Sequence, residues 1–144
     1  MGKYADVAIR AVSLYTSGEA SSIVEAWEIV ACKTFETETS RKKSCPRTTF
    51  LGACESGIVV GVPAGVYNLK LKRNKNKQYG LKAITLLQQD PALADHPNLL
   101  WLKIGNAGIK KNDQMDVITT LWKQGLIRAD HEAAPRPIMK NTPC

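Results

Sequence analysis

Apolar residues recur at intervals of three and four along this chain, and that period commits it to amphipathic helices before anything else is weighed. Tyr4, Val7, Ala8, Ala11, Val12, Leu14 and Tyr15 form one stripe, while Lys3, Asp6, Arg10, Ser13 and Ser17 track the opposite face. Gly18 is the natural stop, because a left-handed residue costs glycine nothing. Ser22 and Glu25 read as a capping box for a second helix with Ile23, Ala26, Trp27, Val30 and Ala31 on one face. Residues 36–44 carry no apolar period and are expected to be an exposed loop. A third helix is predicted to open at Pro46, run through Phe50, Leu51, Ala53 and Cys54, and stop at Ser56-Gly57.

The prolines and glycines that follow predict a short hairpin-like or irregular insert near 58–71. A fourth helix places Tyr79, Ala83, Leu86 and Leu87 inside, and Asp90-Pro91 and Asp95-His96-Pro97 read as starts of short turns. Leu99, Leu100, Trp101 and Ile104 mark a fifth helix ended at Gly105. A sixth, capped by Asp113, places Met115, Ile118, Leu121 and Trp122 inside and stops at Gly125.

The two halves echo one another. Tyr4, Ala8, Ile9 and Val12 match Tyr79, Ala83, Ile84 and Leu87 at an offset of 75, Trp27 matches Trp101 at 74, and Gly57 matches Gly125 at 68. A pair of helices cannot hide both its stripes alone, so a third helix and a second unit are needed to complete a core. The expectation is therefore all-α: a compact bundle of about six helices from two tandem three-helix units, packed around a common core. Residues 1–61 form unit one and 74–128 unit two, joined by a basic connector over 62–73 and followed by a loose tail over 129–144.

No apolar run approaches the roughly 20 residues that span a bilayer, and Met1–Asp6 lacks the apolar stretch of a secretory signal. A soluble cytoplasmic protein with no membrane partner is expected. Cys32, Cys45, Cys54 and Cys144 match no zinc spacing, so buried free thiols are the preferred reading. The only histidines, His96 and His131, have no ligand at a helical interval, and neither phosphate-loop nor dinucleotide glycine motifs occur. Cys45 lies near Lys42, Lys43 and Arg47 at a helix start, a setting that lowers a thiol pKa, but no histidine partners it. Neither a metal, a cofactor nor catalysis is expected; small-molecule binding or an enzyme is the remote alternative.

Charge is the one functional signal. Of the net +7, residues 1–40 contribute −3, residues 41–82 contribute +9 and residues 83–144 contribute +1. Clustered positive potential attracts phosphates or acidic surfaces if the bases share a face, whereas a solvated loop merely stays soluble. Arg47, Lys70, Lys72, Arg73, Lys75 and Lys77 are the candidate contacts to DNA, RNA or another acidic partner. A three-helix unit opening its last helix at Pro46-Arg47 resembles a helix-turn-helix in outline, although 35–44 is long for that motif's tight turn. The rival reading is a protein-interaction or structural module, since interfaces favour tryptophan. Yet Trp27, Trp101 and Trp122 each sit on a core-facing stripe.

Several strings resemble those of a small bacterial family of uncharacterised helical proteins, a domain of unknown function. They are Phe50-Leu51-Gly52-x-Cys54-Glu55-x-Gly57, Gly61-Val62-Pro63-x-Gly65-x-Tyr67, Asn76-Lys77-x-Tyr79, and Gln114-Met115-Asp116-Val117 with Leu121-Trp122. The resemblance covers residues 1–127, departs slightly at Ser56, and implies no activity.

Overall fold

A computed structural model describes residues 2–67 and 74–128. The helices are α1 (Lys3–Thr16), α2 (Ile23–Thr34), α3 (Glu38–Arg41), α4 (Ser44–Glu55), α5 (Lys75–Gln89), α6 (Pro97–Lys103) and α7 (Gln114–Lys123), with a 3-10 turn at Pro91–Asp95 before α6. The fold is all-α, as the period requires. Six of these helices are longer than a single turn, and no named strand occurs among the described residues.

Local chemistry sets the helix ends, with some corrections to the sequence reading. The Oγ of Ser22 accepts the Glu25 N–H at 3.0 Å, but the Glu25 carboxylate accepts from the N–H and Oγ of Ser21, so the capping box is shifted by one residue. The expected loop over 36–44 contains α3, whose start is capped by Thr37 Oγ1 accepting the Ser40 N–H at 3.2 Å. This one-turn helix buries no residue, so it left no apolar period to find. Helix α4 begins at Ser44 rather than at Pro46, whose missing N–H still falls among the orphan donors of a first turn. Asp113 occupies the N-cap of α7 at φ 68 but makes no side-chain cap; its carboxylate turns instead to Lys43.

Over the described part of the insert, residues 58–67, there is no hairpin. Val59 pairs with Ile127 in an isolated antiparallel bridge, with Val60 N–H donating to Leu126 O at 2.8 Å and Arg128 N–H to Ile58 O at 2.9 Å. Residues 68–71 of the predicted insert lie outside the described residues, as do 68–73 of the connector and the tail 129–144.

Buried residues from both halves belong to one hydrophobic cluster. Helix α1 packs on α2 and α7, while α4 packs on α5 and α7. Trp27 stacks on Phe50 with ring centroids 5.2 Å apart, and Tyr79 meets Trp101 edge-on at 5.1 Å. Both tryptophans are buried, as their stripes predicted, whereas Trp122 is half-buried against the cluster. The closest approach is α4 on α5: a Cβ on Gly52 would lie 2.5 Å from Cβ of Lys77 and 2.9 Å from its Cα. Only glycine permits that spacing.

Candidate functional site

The six sequence-predicted contacts fall into three groups. Lys70, Lys72 and Arg73 lie outside the described residues. Lys77 does not offer its charge to a partner: its Nζ is 2.9 Å from Glu55 Oε1, with side chains only 15% and 4% exposed. The second carboxylate oxygen of Glu55 accepts the Tyr67 N–H at 3.1 Å, so this carboxylate also ties down the segment after α4. Lys77 therefore serves the α4–α5 junction. Its sequence neighbourhood, rich in lysine and asparagine, gave no sign of that inward turn.

Arg47 and Lys75 remain. Arg47 projects from α4 with one guanidinium nitrogen 3.7 Å from Glu28 of α2, and Lys75 is the exposed first residue of α5. Each immediately precedes a member of one hydrogen bond, because Asn76 Nδ2 donates to Thr48 Oγ1 at 3.1 Å. The starts of α4 and α5 are thereby fixed beside one another, with Asn74 as the N-cap of α5.

Next to Arg47, helices α2, α3 and α4 enclose a cleft of about 730 Å³ lined by Glu28, Cys32, Glu38, Arg41, Lys42 and Arg47. Arg41 Nε donates to Phe35 O at 2.8 Å, which aims its guanidinium along the cleft rim. Lys42 reaches Glu38 at 2.7 Å across one turn of α3. The hydrogen bond and then the charge of Lys42 hold the Glu38 carboxyl below its ordinary value, and Glu38 raises Lys42 by the same contacts. Sequence reasoning passed over Arg41 and Lys42 as site residues because it took their segment for a loop. Cys32 lies exposed in the cleft lining, contrary to the preference for buried thiols; Cys45 is half-buried and Cys54 buried. Burial pushes the Cys54 thiol well above its usual pKa. Among the described residues no group of three or more His, Cys, Asp and Glu gathers to hold a metal, and no helix is long and apolar enough to cross a membrane.

A model of a family of unknown function, DUF6979, matches residues 1–128. The chain belongs to that family. No curated protein and no solved structure matches it. The family match ends where the tail begins, so it covers the helices of both halves together with the cleft and the α4–α5 corner.

On the far side of that corner the polar chain continues. Gln114 Nε2 donates to Asn76 Oδ1 at 3.1 Å, and Gln114 Oε1 accepts the Asn112 N–H. Lys43, at the N-cap of α4, donates to Asp113 Oδ2 at 2.9 Å and lies over the Tyr4 ring at 5.1 Å from its centroid. The Asp113 contact raises the Lys43 pKa against the opposing effect of burial. Here a second cavity, of about 280 Å³, opens between Lys43, Lys111, Asn112, Asp113 and Asp116, with Pro97 and Met115 as its apolar lining.

Proposed function

We propose that this is a non-enzymatic binding protein that takes nucleic acid against the corner formed by α2, α3 and the starts of α4 and α5. The observation that supports this reading is the hydrogen bond between Thr48 and Asn76, which sets the start of α4, carrying Arg47 and the Arg41–Lys42 cleft, against the start of α5, carrying Lys75. Phosphate contacts from such bases supply affinity without sequence information. The helix dipoles, positive at the starts of α4 and α5, add to the potential there. Glu28 and Glu38 temper it, and an incoming phosphate would displace them from Arg47 and Lys42 at small cost, because exposed pairs contribute little. Labelled DNA and RNA titrated at two salt concentrations test the reading. Binding is expected to weaken steeply with salt, and Arg47→Ala and Lys75→Ala are expected to reduce that slope. No binding at low salt discards it.

A second reading, a protein-interaction module, is favoured by a separate observation. Leu99 and Leu102, one turn apart on α6, are 43% and 52% exposed. Association through them would be insensitive to salt and abolished by Leu102→Glu.

We infer too that the two halves descend from one duplicated unit. Supporting this, the bridged residues Val59 and Ile127 stand 68 positions apart, the same offset as Gly57 and Gly125, both of which have positive φ. The two bridge hydrogen bonds exchange when that offset is applied to both partners.

A further inference from the structure

The 280 Å³ cavity between the starts of α4 and α7 is at the small end of ligand sites, with room for roughly nine waters' worth of volume. Its charges do not all satisfy one another. Lys43 and Asp113 compensate each other at 2.9 Å. That leaves Lys111 and Asp116, one positive and one negative, lining the same cavity. Lys111 donates to Asn98 Oδ1, a neutral acceptor that leaves its charge uncompensated. Asp116 is half-buried in the first turn of α7 and has no ion pair or side-chain hydrogen bond among the described residues.

The other half of the molecule shows why Asp116 is left so. Under the 68-residue offset its counterpart is Thr48, whose hydroxyl is met by Asn76 at the start of α5. At the start of α1 the neighbour of Asp116 is Gly2, where even a methyl group would lie 3.3 Å from Oδ2. Glycine brings no side chain, so among the described residues none meets this carboxylate as Asn76 meets Thr48.

We propose that this cavity binds a free α-amino acid, with its ammonium on Asp116, its carboxylate on Lys111 and a short apolar side chain against Met115 and Pro97. The charge pattern selects this class. An inorganic anion would meet two aspartates, and a divalent cation would find only one carboxylate not already held by Lys43. A molecule bearing one charge of each sign compensates at once both groups that lack an ion pair among the described residues, and charge-assisted hydrogen bonds are the strong ones. The inference is independent of the nucleic-acid reading and shares none of its contact residues.

The test is calorimetric titration of the full chain with the standard amino acids, one at a time, up to about 10 mM, the weak end of specific binding. At least one small apolar amino acid is expected to bind saturably. Its N-acetyl and its carboxamide derivatives are both expected to fail. Asp116→Asn and the exposed-site variant Lys111→Met are each expected to weaken binding by at least about tenfold, the loss of one charge-assisted contact. Thermal melts without ligand verify that both variants fold. Absence of saturable binding by any amino acid overturns the proposal, as do derivatives that bind equally well or folded variants that bind undiminished.

Discussion

Where α5 starts against α4, backbone and side chains close on each other completely: Gly52 admits the Lys77 backbone, Glu55 neutralises the Lys77 ammonium, and Asn76 satisfies Thr48. Where α1 starts against α7, glycine is again a point of approach, but on the incoming helix, as Gly2 beside Asp116. The first junction is filled and the second is hollow. A helix junction can hold a molecule together or stand open, and side-chain volume and charge at two or three positions decide between the two.

That contrast can be broken most forcefully at Glu55. Glu55→Ala strands the Lys77 ammonium and the Tyr67 N–H at the filled junction, and removing one partner of a buried pair costs about 3–5 kcal/mol. Urea unfolding measures it, and a loss below about 1 kcal/mol would mean the filled junction is no more than a surface contact. Next comes the pair of glycine variants. Gly52→Ala forces α4 and α5 apart and is expected to cost about 1–3 kcal/mol, whereas Gly2→Ala, with no atom closer than 3.3 Å, should stay within about 0.5 kcal/mol. Equal shifts in melting temperature would erase the distinction.

Smaller effects sharpen the hollow side. The folded-state pKa of Lys43 is raised above its unfolded value, so its pairing with Asp113 contributes stability fully below the unfolded pKa and loses it as pH rises through the folded one. Lys43→Met is therefore expected to lose within about 1 kcal/mol at neutral pH, the range of solvent-screened pairs, and to show a flatter decline in stability above about pH 10 than the parent. Smallest in energy is the thiol pattern. Of the three described cysteines, maleimide labelling followed by mass spectrometry should modify Cys32 first, Cys45 more slowly, and Cys54 only once the chain unfolds. Early modification of Cys54 would mean that the packing around α4 opens readily.

Much of the architecture was legible because the helices are amphipathic: the stripes of α1, α2, α5 and α7 named core residues that are indeed buried, from Val7 and Trp27 to Leu87 and Leu121. What the period cannot encode is what a side chain does once it leaves the core. Lys77 and Lys75 look alike in sequence, yet one ends on a buried carboxylate and the other in solvent. The close approach of Lys77 to Gly52 is a relation between residues 25 positions apart, which no local pattern carries. The same holds for α3, whose single turn is fixed by Thr37 and not by any buried face. Of the candidate site, the basic excess was visible as a charge count; the Arg41–Lys42 cleft and the cavity at Asp116 were not, since both arise only when separate helices meet.

The single rung between Val59 and Ile127 has a kinetic consequence. To form it, the backbone must close a ring spanning the whole second half of the molecule, and α1 and α4 must wait for α7 and α5 before their stripes are covered. Rings of this size carry an entropy cost that grows only slowly with length, but contacts so distant in sequence delay the transition state. Synthesis of the first half alone thus yields a chain with its apolar faces still wet, and collapse to the native state is expected to follow the arrival of α7 in one cooperative step. A backbone cut between the halves after folding should leave both fragments clasped, because it is the mutual covering of the two helix sets, and not the connector, that keeps them in place.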